Sequence, residues 1–379
     1  MTENRYDTIV AGVGGFGSAA LYHLARRGQR VLGLERFDVP HDLGSSGGVT
    51  RIIRLAYYED SSYVPLLARS YELWRELEAA AGERLLVITG TVDASEEDGR
   101  IFRGSLASCL EHGLEHEVLT AAELSARFPG YRLPAGTMAV LQPEGGFLLP
   151  ERCIVAHASL ALTAGAELRA RERVLGWEPG GEGVRVRTDR GEYRAEKLVL
   201  AGGAWMSELM GLRLVQAERQ ALGWFQPLRP ELFTPERFPV FNLELGDAHF
   251  YGFPVYGIPG FKLGRYHHLG EQVDPDAVDR TPRADDEALL RAFAERWFPD
   301  GAGPTTTLKA CLFENTPDEH FVVGFHPASP SVICLGGGSG HGFKFCSVLG
   351  EIAADLALDD TTRHDIGLLG LGRFDGSSV

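Results

Sequence analysis

Residues 6–10 read as a buried strand, leading into the apolar run 8–12. A glycine cluster follows, and then residues 16–27, where Ala19, Ala20, Leu24 and Ala25 fall near one helical face. Gly28 closes that helix, and residues 30–34 supply a second strand. Strand, helix and strand together have the size of a βαβ unit, about 30 residues. Further on, Tyr63, Leu66, Leu67, Tyr71, Trp74 and Leu77 recur at helical spacing, with Pro65 in the first turn and Gly82 past the end. That pattern predicts a long amphipathic helix.

Residues 85–92 predict a strand, 121–128 a short helix stopped by Pro129-Gly130, and 151–163 another helix. Strands at 184–186 and 197–200 flank the turn Asp189-Arg190-Gly191. From about residue 213 to 307 the pattern changes, with more proline and aromatics and short strand-like runs at 238–243 and 249–253. The tail resumes the opening pattern, with a strand at 331–335, a glycine-rich turn and a helix at 345–358. The expected fold class is α/β, a Rossmann-like domain joined to a second, β-rich α+β domain.

Composition narrows the partners. A chain of 379 residues, 44% hydrophobic and 23% charged, buries a large core and is expected to split in two. Its net charge of −15 argues against nucleic acid or an anionic membrane as partner. A small anionic ligand would need a local positive site. The charged opening Met1-Thr-Glu-Asn-Arg-Tyr leads straight into the first apolar run and leaves no room for a signal peptide. Apolar runs elsewhere fall far short of the roughly 20 residues that cross a bilayer. Five cysteines, at 109, 153, 311, 334 and 346, show no paired spacing and suit reduced thiols, so a cytoplasmic location is expected. Of 37 basic residues only Lys197, Lys262, Lys309 and Lys344 are lysine, which singles these four out as positions where a compact, deprotonatable charge matters.

The first chemistry lies in the opening turn. Gly12-Val13-Gly14-Gly15-Phe16-Gly17 fits G-x-G-x-x-G between a strand and a helix. Gly12 permits the tight turn, Gly14 lets backbone approach a pyrophosphate, and Gly17 lets helix and strand pack closely. The helix N-terminus offers free N–H groups to the phosphates. Glu35, ending the second strand, is placed to accept ribose hydroxyls and would repel a ribose phosphate. These features predict a dinucleotide site for FAD or NAD rather than NADP.

Longer stretches carry a family resemblance. Gly44-Ser-Ser-Gly-Gly-Val-Thr-Arg-Ile-Ile-Arg54, Tyr251-Gly-Phe-Pro through Lys262-Leu-Gly264, Cys311 through Asp318-Glu-His-Phe321, and Gly338-Ser-Gly-His-Gly-Phe-Lys-Phe345 occur in order. They resemble the monomeric sarcosine oxidase and N-methyltryptophan oxidase family over nearly the whole chain. The resemblance implies a monomeric flavoprotein that takes FAD, oxidises secondary amino acids with molecular oxygen and releases hydrogen peroxide. It also implies an FAD-binding domain of residues 1–85, 146–212 and 312–379, and a substrate domain of 86–145 and 213–311.

Site residues follow from the same resemblance. The thiol of Cys311 is expected to form a thioether to the flavin, for which a thiolate is nucleophilic enough. Lys262 is expected to promote reaction with oxygen, where a fixed cation would stabilise developing superoxide. Arg54 and Lys344 are expected to hold the substrate carboxylate. Arg51 is expected against the flavin ring, where positive charge favours the reduced anionic form. Gly336, Gly337, Gly338, Gly340 and Gly342 would let backbone pass close to that ring. Val174, Ala201 and Gly202 would line adenosine and pyrophosphate; Arg36, Ser45 and Thr50 complete the cofactor contacts.

Departures from the family pattern concern the substrate pocket. Gly47 stands where a histidine is common, Asn242 where a methionine is, and Phe313 where a tyrosine is. Tyr251 keeps its place beside the substrate. One residue is inserted after Gly264, so that either Tyr266 or His267 takes the position of a pocket histidine, with His267 preferred. These changes point to a secondary amine larger or more polar than sarcosine.

Competing chemistries fare worse. Gly44-Ser45-Ser46-Gly47-Gly48 fits the hydrolase pattern G-x-S-x-G, but Asp38-Val-Pro-His-Asp42 stands where a nucleophile elbow needs a buried strand. His267-His268 lacks helical ligand spacing and no C-x-x-C is present, so no metal site is expected. A flavin dehydrogenase with another electron acceptor, or a non-catalytic flavin-binding subunit, remain the alternatives.

Overall fold

A computed structural model describes residues 5–181 and 183–374. Residues 1–4, which belong to the opening read as leaderless, lie outside the described residues, as do 182 and 375–379. Among the described residues no helix is long and apolar enough to cross a membrane.

The first sheet grows from the opening βαβ unit. Strand Arg5–Ala11 pairs in parallel with Val31–Leu34 on one side and Glu192–Leu200 on the other, with Ile9 opposite both Leu32 and Leu198. A central parallel strand is covered on both faces, which is why Ile9, Val10 and Ala11 are all buried. Glu167–Arg169 extends the sheet beyond Val31–Leu34, and Ser329–Gly336 joins Glu192–Leu200 in parallel. Helices Gly15–Arg26, Pro150–Thr163 and Cys346–Asp359 pack together, with Val10, Val199 and Ile333 in the same core. Their approach is close: a Cβ on Gly350 would stand 2.5 Å from the Ala19 carbonyl carbon.

A second eight-stranded sheet carries the aromatic-rich region, in the order Thr305–Asn315, Gln216–Phe225, Phe261–Arg265, Ala248–Phe253, Val240–Leu245, Thr91–Glu96, Thr137–Gln142 and Glu117–Thr120. Its core is aromatic, with Phe225, Phe233, Phe238, Phe241, Phe261 and Phe298 buried together. Helix Ala284–Trp297 is pinned to this sheet by charge. The Arg219 guanidinium donates to both oxygens of Asp286 at 2.9 and 2.8 Å, and His268 Nε2 lies 2.9 Å from the same carboxylate. All three side chains are buried. Removing one member of such a group leaves an uncompensated charge, at a cost of about 3–5 kcal/mol.

A small third sheet, Arg51–Ile53, Gly146–Leu148 and Leu86–Ile88, links the two larger ones. Here the single strand expected at 85–92 divides. Gly90, at φ +78°, turns the chain out of the small sheet, and Thr91–Glu96 continues in the large one. The long amphipathic helix is present as Val64–Ala81, ended by left-handed Gly82. The architecture is the expected α/β one: a Rossmann-like layer beside a β-rich sheet.

Candidate active site

The opening glycine turn builds one end of a long groove of about 1300 Å³. A Cβ on Gly17 would stand 1.8 Å from the Gly12 carbonyl oxygen, and one on Gly12 would stand 2.4 Å from the Ala201 oxygen. Glycine is therefore required at both, with Gly12 at φ +94°. Gly17 lies beneath the turn. Gly14 instead faces the groove, where a Cβ would meet only Ser46 Oγ, 3.7 Å away. Helix Gly15–Arg26 has no side-chain cap from Gly14; its Gly15 N–H donates to Ser46 Oγ at 3.2 Å, and the N–H groups that follow in the first turn are left to meet an anion. Glu35 is buried at the floor, where its Oε2 accepts the Val13 N–H at 2.8 Å and its Oε1 the Phe37 N–H at 2.9 Å. The remaining carboxylate lone pairs suit ribose hydroxyls.

Around this end lie Arg36, Val174, Ala201 and Gly202. At the opposite end the groove is walled by Ser45, Arg51, Gly338, Gly340 and Gly342. The second glycine turn is as constrained as the first: Gly340, at φ +77°, has no space for a Cβ against the Phe313 ring. These residues fit a dinucleotide cofactor with a planar far end. Glu314, buried in the same wall, accepts the Gly338 N–H at 3.2 Å and the Ser45 hydroxyl at 3.3 Å. Burial raises its carboxyl to about 7.

A second cavity of about 510 Å³ adjoins the groove and shares Arg51, Phe313, Gly340 and Phe343 with it. Arg54, Asn242, Tyr251, Cys311 and Lys344 line it, together with Tyr266 and His341. Arg54 is wholly buried. Its Nη2 donates to both Glu59 oxygens at 2.8 and 2.7 Å and its Nη1 donates to the Ala56 oxygen, while its Nε makes no hydrogen bond and lies 3.9 Å from Asp93 Oδ1. The guanidinium lies 4.5 Å from the Tyr57 ring centre and 4.3 Å from that of Tyr58. Burial works to raise the Glu59 carboxyl, but the Arg54 charge prevails and holds it at about 2.

Lys344 donates to the His341 carbonyl oxygen at 2.7 Å. Burial, reinforced by the Arg54 charge, lowers its pKa to about 7. When protonated it keeps two further N–H donors for a ligand. Asn242 is held by its neighbours: its Nδ2 donates to Asp93 Oδ1 at 2.7 Å, and Ser105 donates to Asp93 Oδ2 at 2.9 Å. Burial raises the Asp93 carboxyl.

Of the residues expected at the cofactor, Thr50, Lys262, Cys311, Gly336 and Gly337 lie off the groove wall, as Gly17 does. Lys262 is buried beneath the turn at 48–50, and its Nζ donates to the Gly48 and Thr50 carbonyls and the Thr50 hydroxyl at 2.7, 2.9 and 3.0 Å. Thr50 thus meets Lys262, not the groove. Cys311 faces the second cavity, where burial raises its thiol pKa against the pull of Arg51 and Lys262.

The expectation for His267 is corrected. Tyr266 lines the cavity, its ring stacked on His249 at 4.1 Å and its hydroxyl donating to the Gly340 oxygen at 3.4 Å. His267 takes a left-handed φ of +51°, which reverses the chain and carries its ring out of the pocket toward Glu218 and Glu319. Sequence reasoning also missed Glu59, Asp93, His249 and His341. Asp93 and His341 are buried and His249 is half-buried, with partners supplied by tertiary packing for which local spacing carries no signal, whereas Glu59 pairs with Arg54 only five residues away.

Comparison with known proteins gives the family and the fold. A family profile described as FAD dependent oxidoreductase matches residues 7–356. The chain is 43% identical to the Monomeric sarcosine oxidase of Streptomyces avermitilis, with 96% of each chain covered. It is 33% identical to the N-methyl-L-tryptophan oxidase of Yersinia pestis, over 97% of this chain and 99% of that one. Among solved structures, the open form of NikD, an unusual amino acid oxidase essential for nikkomycin biosynthesis, superposes with a TM-score of 0.84 at 29% identity, covering 97% of this chain and 98% of its own. The chain belongs to the FAD-dependent oxidoreductase family, as a flavoprotein oxidoreductase of its sarcosine oxidase and N-methyltryptophan oxidase branch.

Proposed function

We propose that this protein oxidises a secondary amino acid, N-methylated or cyclic, with FAD as cofactor and molecular oxygen as the final acceptor. The observation that carries this reading is the junction of the two cavities. Arg54 and Lys344 line the second cavity next to the groove end walled by Arg51 and Gly340, so a carboxylate held by these two cations would lie against the cofactor groove. FAD, which the residues of the long groove would hold, would supply the two-electron chemistry that links the substrate C–H bond to oxygen, with hydrogen peroxide as the reduced product.

The chain's own residues bind and orient. Arg54 is fixed by Glu59 and two tyrosine rings, so its Nε direction is set before a ligand arrives. Tyr251, Tyr266 and Phe313 supply apolar walls that exclude water, and the amine reacts in its neutral form. The imine then hydrolyses in water to an aldehyde or keto product and an amine. Asn242 and Asp93 make one side of the pocket polar, which supports a substrate larger or more polar than sarcosine. No side chain is assigned as general base.

Further parts of the proposal rest on placement. Arg51 borders both cavities and would face the flavin ring. Residues 1–85, 146–212 and 312–379 would bind FAD, and 86–145 with 213–311 would hold substrate; the separation of the two large sheets supports this division. A monomer in the cytoplasm is favoured by the relatives and by five unpaired cysteines. Cys311 would carry the flavin as a thioether. After acid precipitation the yellow colour is expected in the pellet; colour released to the supernatant would remove Cys311 from this role.

A peroxide assay against N-methyl amino acids, cyclic imino acids and D-amino acids tests the reaction, with peroxide expected from the first two classes. The carboxylate site has its own signature. A bound carboxylate favours protonated Lys344, so above a pKa of about 7 binding takes up a proton. Affinity for acetate, followed through the flavin spectrum, is expected to fall about ten-fold per pH unit beyond that point. An affinity independent of pH would exclude Lys344 from the site.

A further inference from the structure

His267 stands outside the pocket, yet both of its ring nitrogens are engaged. Nδ1 lies 2.8 Å from Glu218 Oε2, and Nε2 lies 3.0 Å from Glu319 Oε1. Those two hydrogen bonds, Glu218's first, raise its pKa to about 10, so the ring is a cation at neutral pH. The two carboxylates come from separate segments: Glu218 from strand Gln216–Phe225, and Glu319 from the loop that follows Thr305–Asn315.

Backbone strain marks the same place. His267 and Glu319 both adopt left-handed conformations, at φ +51° and +62°. Side chains other than glycine rarely take up that region unless the surroundings hold them there, and such outliers gather at functional sites.

What the bridge joins are two walls of the substrate cavity. Tyr266, the residue before His267, forms one. Gly340 and His341 form the other, and His341 Nε2 lies 3.0 Å from the Glu319 carbonyl oxygen. Glu319 is a firm post, because Arg373 donates to the flanking Asp318 carboxylate at 2.7 Å and to the His320 carbonyl at 2.9 Å. The turn's far side is separately anchored by His268 on Asp286. His267 therefore ties the Tyr266 turn to the loop that supports the opposite wall.

We propose that His267 is a positioning residue: by bridging Glu218 and Glu319 it sets the spacing between Tyr266 and the Gly340–His341 wall, and so the fit of the substrate. The inference rests on the amine-oxidising function for its kinetic readout. It assigns His267 no part in the chemical step.

The test uses the flavin-loaded enzyme with His267→Asn. Asparagine tolerates a left-handed backbone but cannot carry the charge, so the turn survives while the bridge is lost. Glu319→Asn shortens the side chain so that it no longer reaches His267, tolerates the left-handed backbone, and keeps the carbonyl that meets His341. For the N-methyl amino acid that the wild type oxidises best, each variant is expected to raise KM about ten-fold while the limiting rate of anaerobic flavin reduction stays within about two-fold. The double variant is expected to be no worse than either single one. Amide hydrogen exchange is expected to quicken together at residues 266–270 and 317–321. Unchanged KM with unchanged exchange would overturn the proposal, as would a fall in the limiting rate with KM intact. Exchange needs no substrate: if the wild type oxidised no secondary amine the functional reading would fail, and exchange alone would decide the bridge.

Discussion

Lys344→Met is expected to raise KM for the amino acid on the order of 100-fold, the effect of deleting a buried charge-assisted hydrogen bond. The protein should keep its flavin and its melting temperature. Lys344 is buried and gives up its bond to the His341 carbonyl and its approach to the Tyr57 and Phe345 rings, and a methionine of similar length relieves the desolvation that lowers the lysine pKa. Arg54 offers no such clean test. Its loss strands the buried Glu59 carboxylate, and breaking a buried pair costs about 3–5 kcal/mol in folding before any effect on binding is read. Substrate titrations of the initial rate check the Lys344 prediction. An unchanged KM would move the carboxylate site elsewhere.

Lys262→Met is expected to slow reoxidation of the reduced flavin by oxygen about 10²–10³-fold while leaving flavin reduction by substrate nearly intact. Burial, with Arg51 nearby, draws the Lys262 pKa well below the ordinary lysine value. Against this, three oxygen acceptors match the three protons of the ammonium form. Methionine leaves the Gly48 and Thr50 oxygens without their donor, at a cost of about 1–3 kcal/mol each where no water enters. Stopped-flow measurement of the two half-reactions separates that structural loss from the oxygen step, since lost structure would slow both. Equal slowing would contradict the assigned role.

The cofactor end of the site was legible because its requirements are local. Gly12, Gly14, Gly17 and Glu35 lie within one βαβ unit, and the same short contacts that demand glycine at 12 and 17 create the motif. Gly82 likewise marked a helix end through its left-handed conformation. The substrate end was legible only in part. Arg54, Asn242, Tyr251, Phe313 and Lys344 reach one cavity, but Tyr266 and not His267 joins them, because a left-handed residue inverts the side-chain order that an extended reading assumes.

Strand Gln216–Phe225 escaped notice for a related reason. Its buried Glu218, Arg219 and Gln220 look like a polar loop in sequence, and only tertiary partners, His267, Asp286 and the His268 N–H, make them interior. Strand Thr305–Asn315 is half-buried along its first six residues save the exposed Thr306, so it shows no sustained two-residue alternation. Helix Ala284–Trp297 begins with Asp285, Asp286 and Glu287, and its tie to the sheet is the buried Asp286 rather than an apolar stripe alone.

The most direct test of the account is an anaerobic titration of the yellow protein with an N-methyl amino acid, followed by admission of air. The flavin colour is expected to bleach as substrate is added, and to return in air with hydrogen peroxide formed in proportion to the substrate consumed. Failure to bleach with any secondary amino acid, or bleaching that air does not promptly reverse, would contradict an amino acid oxidase.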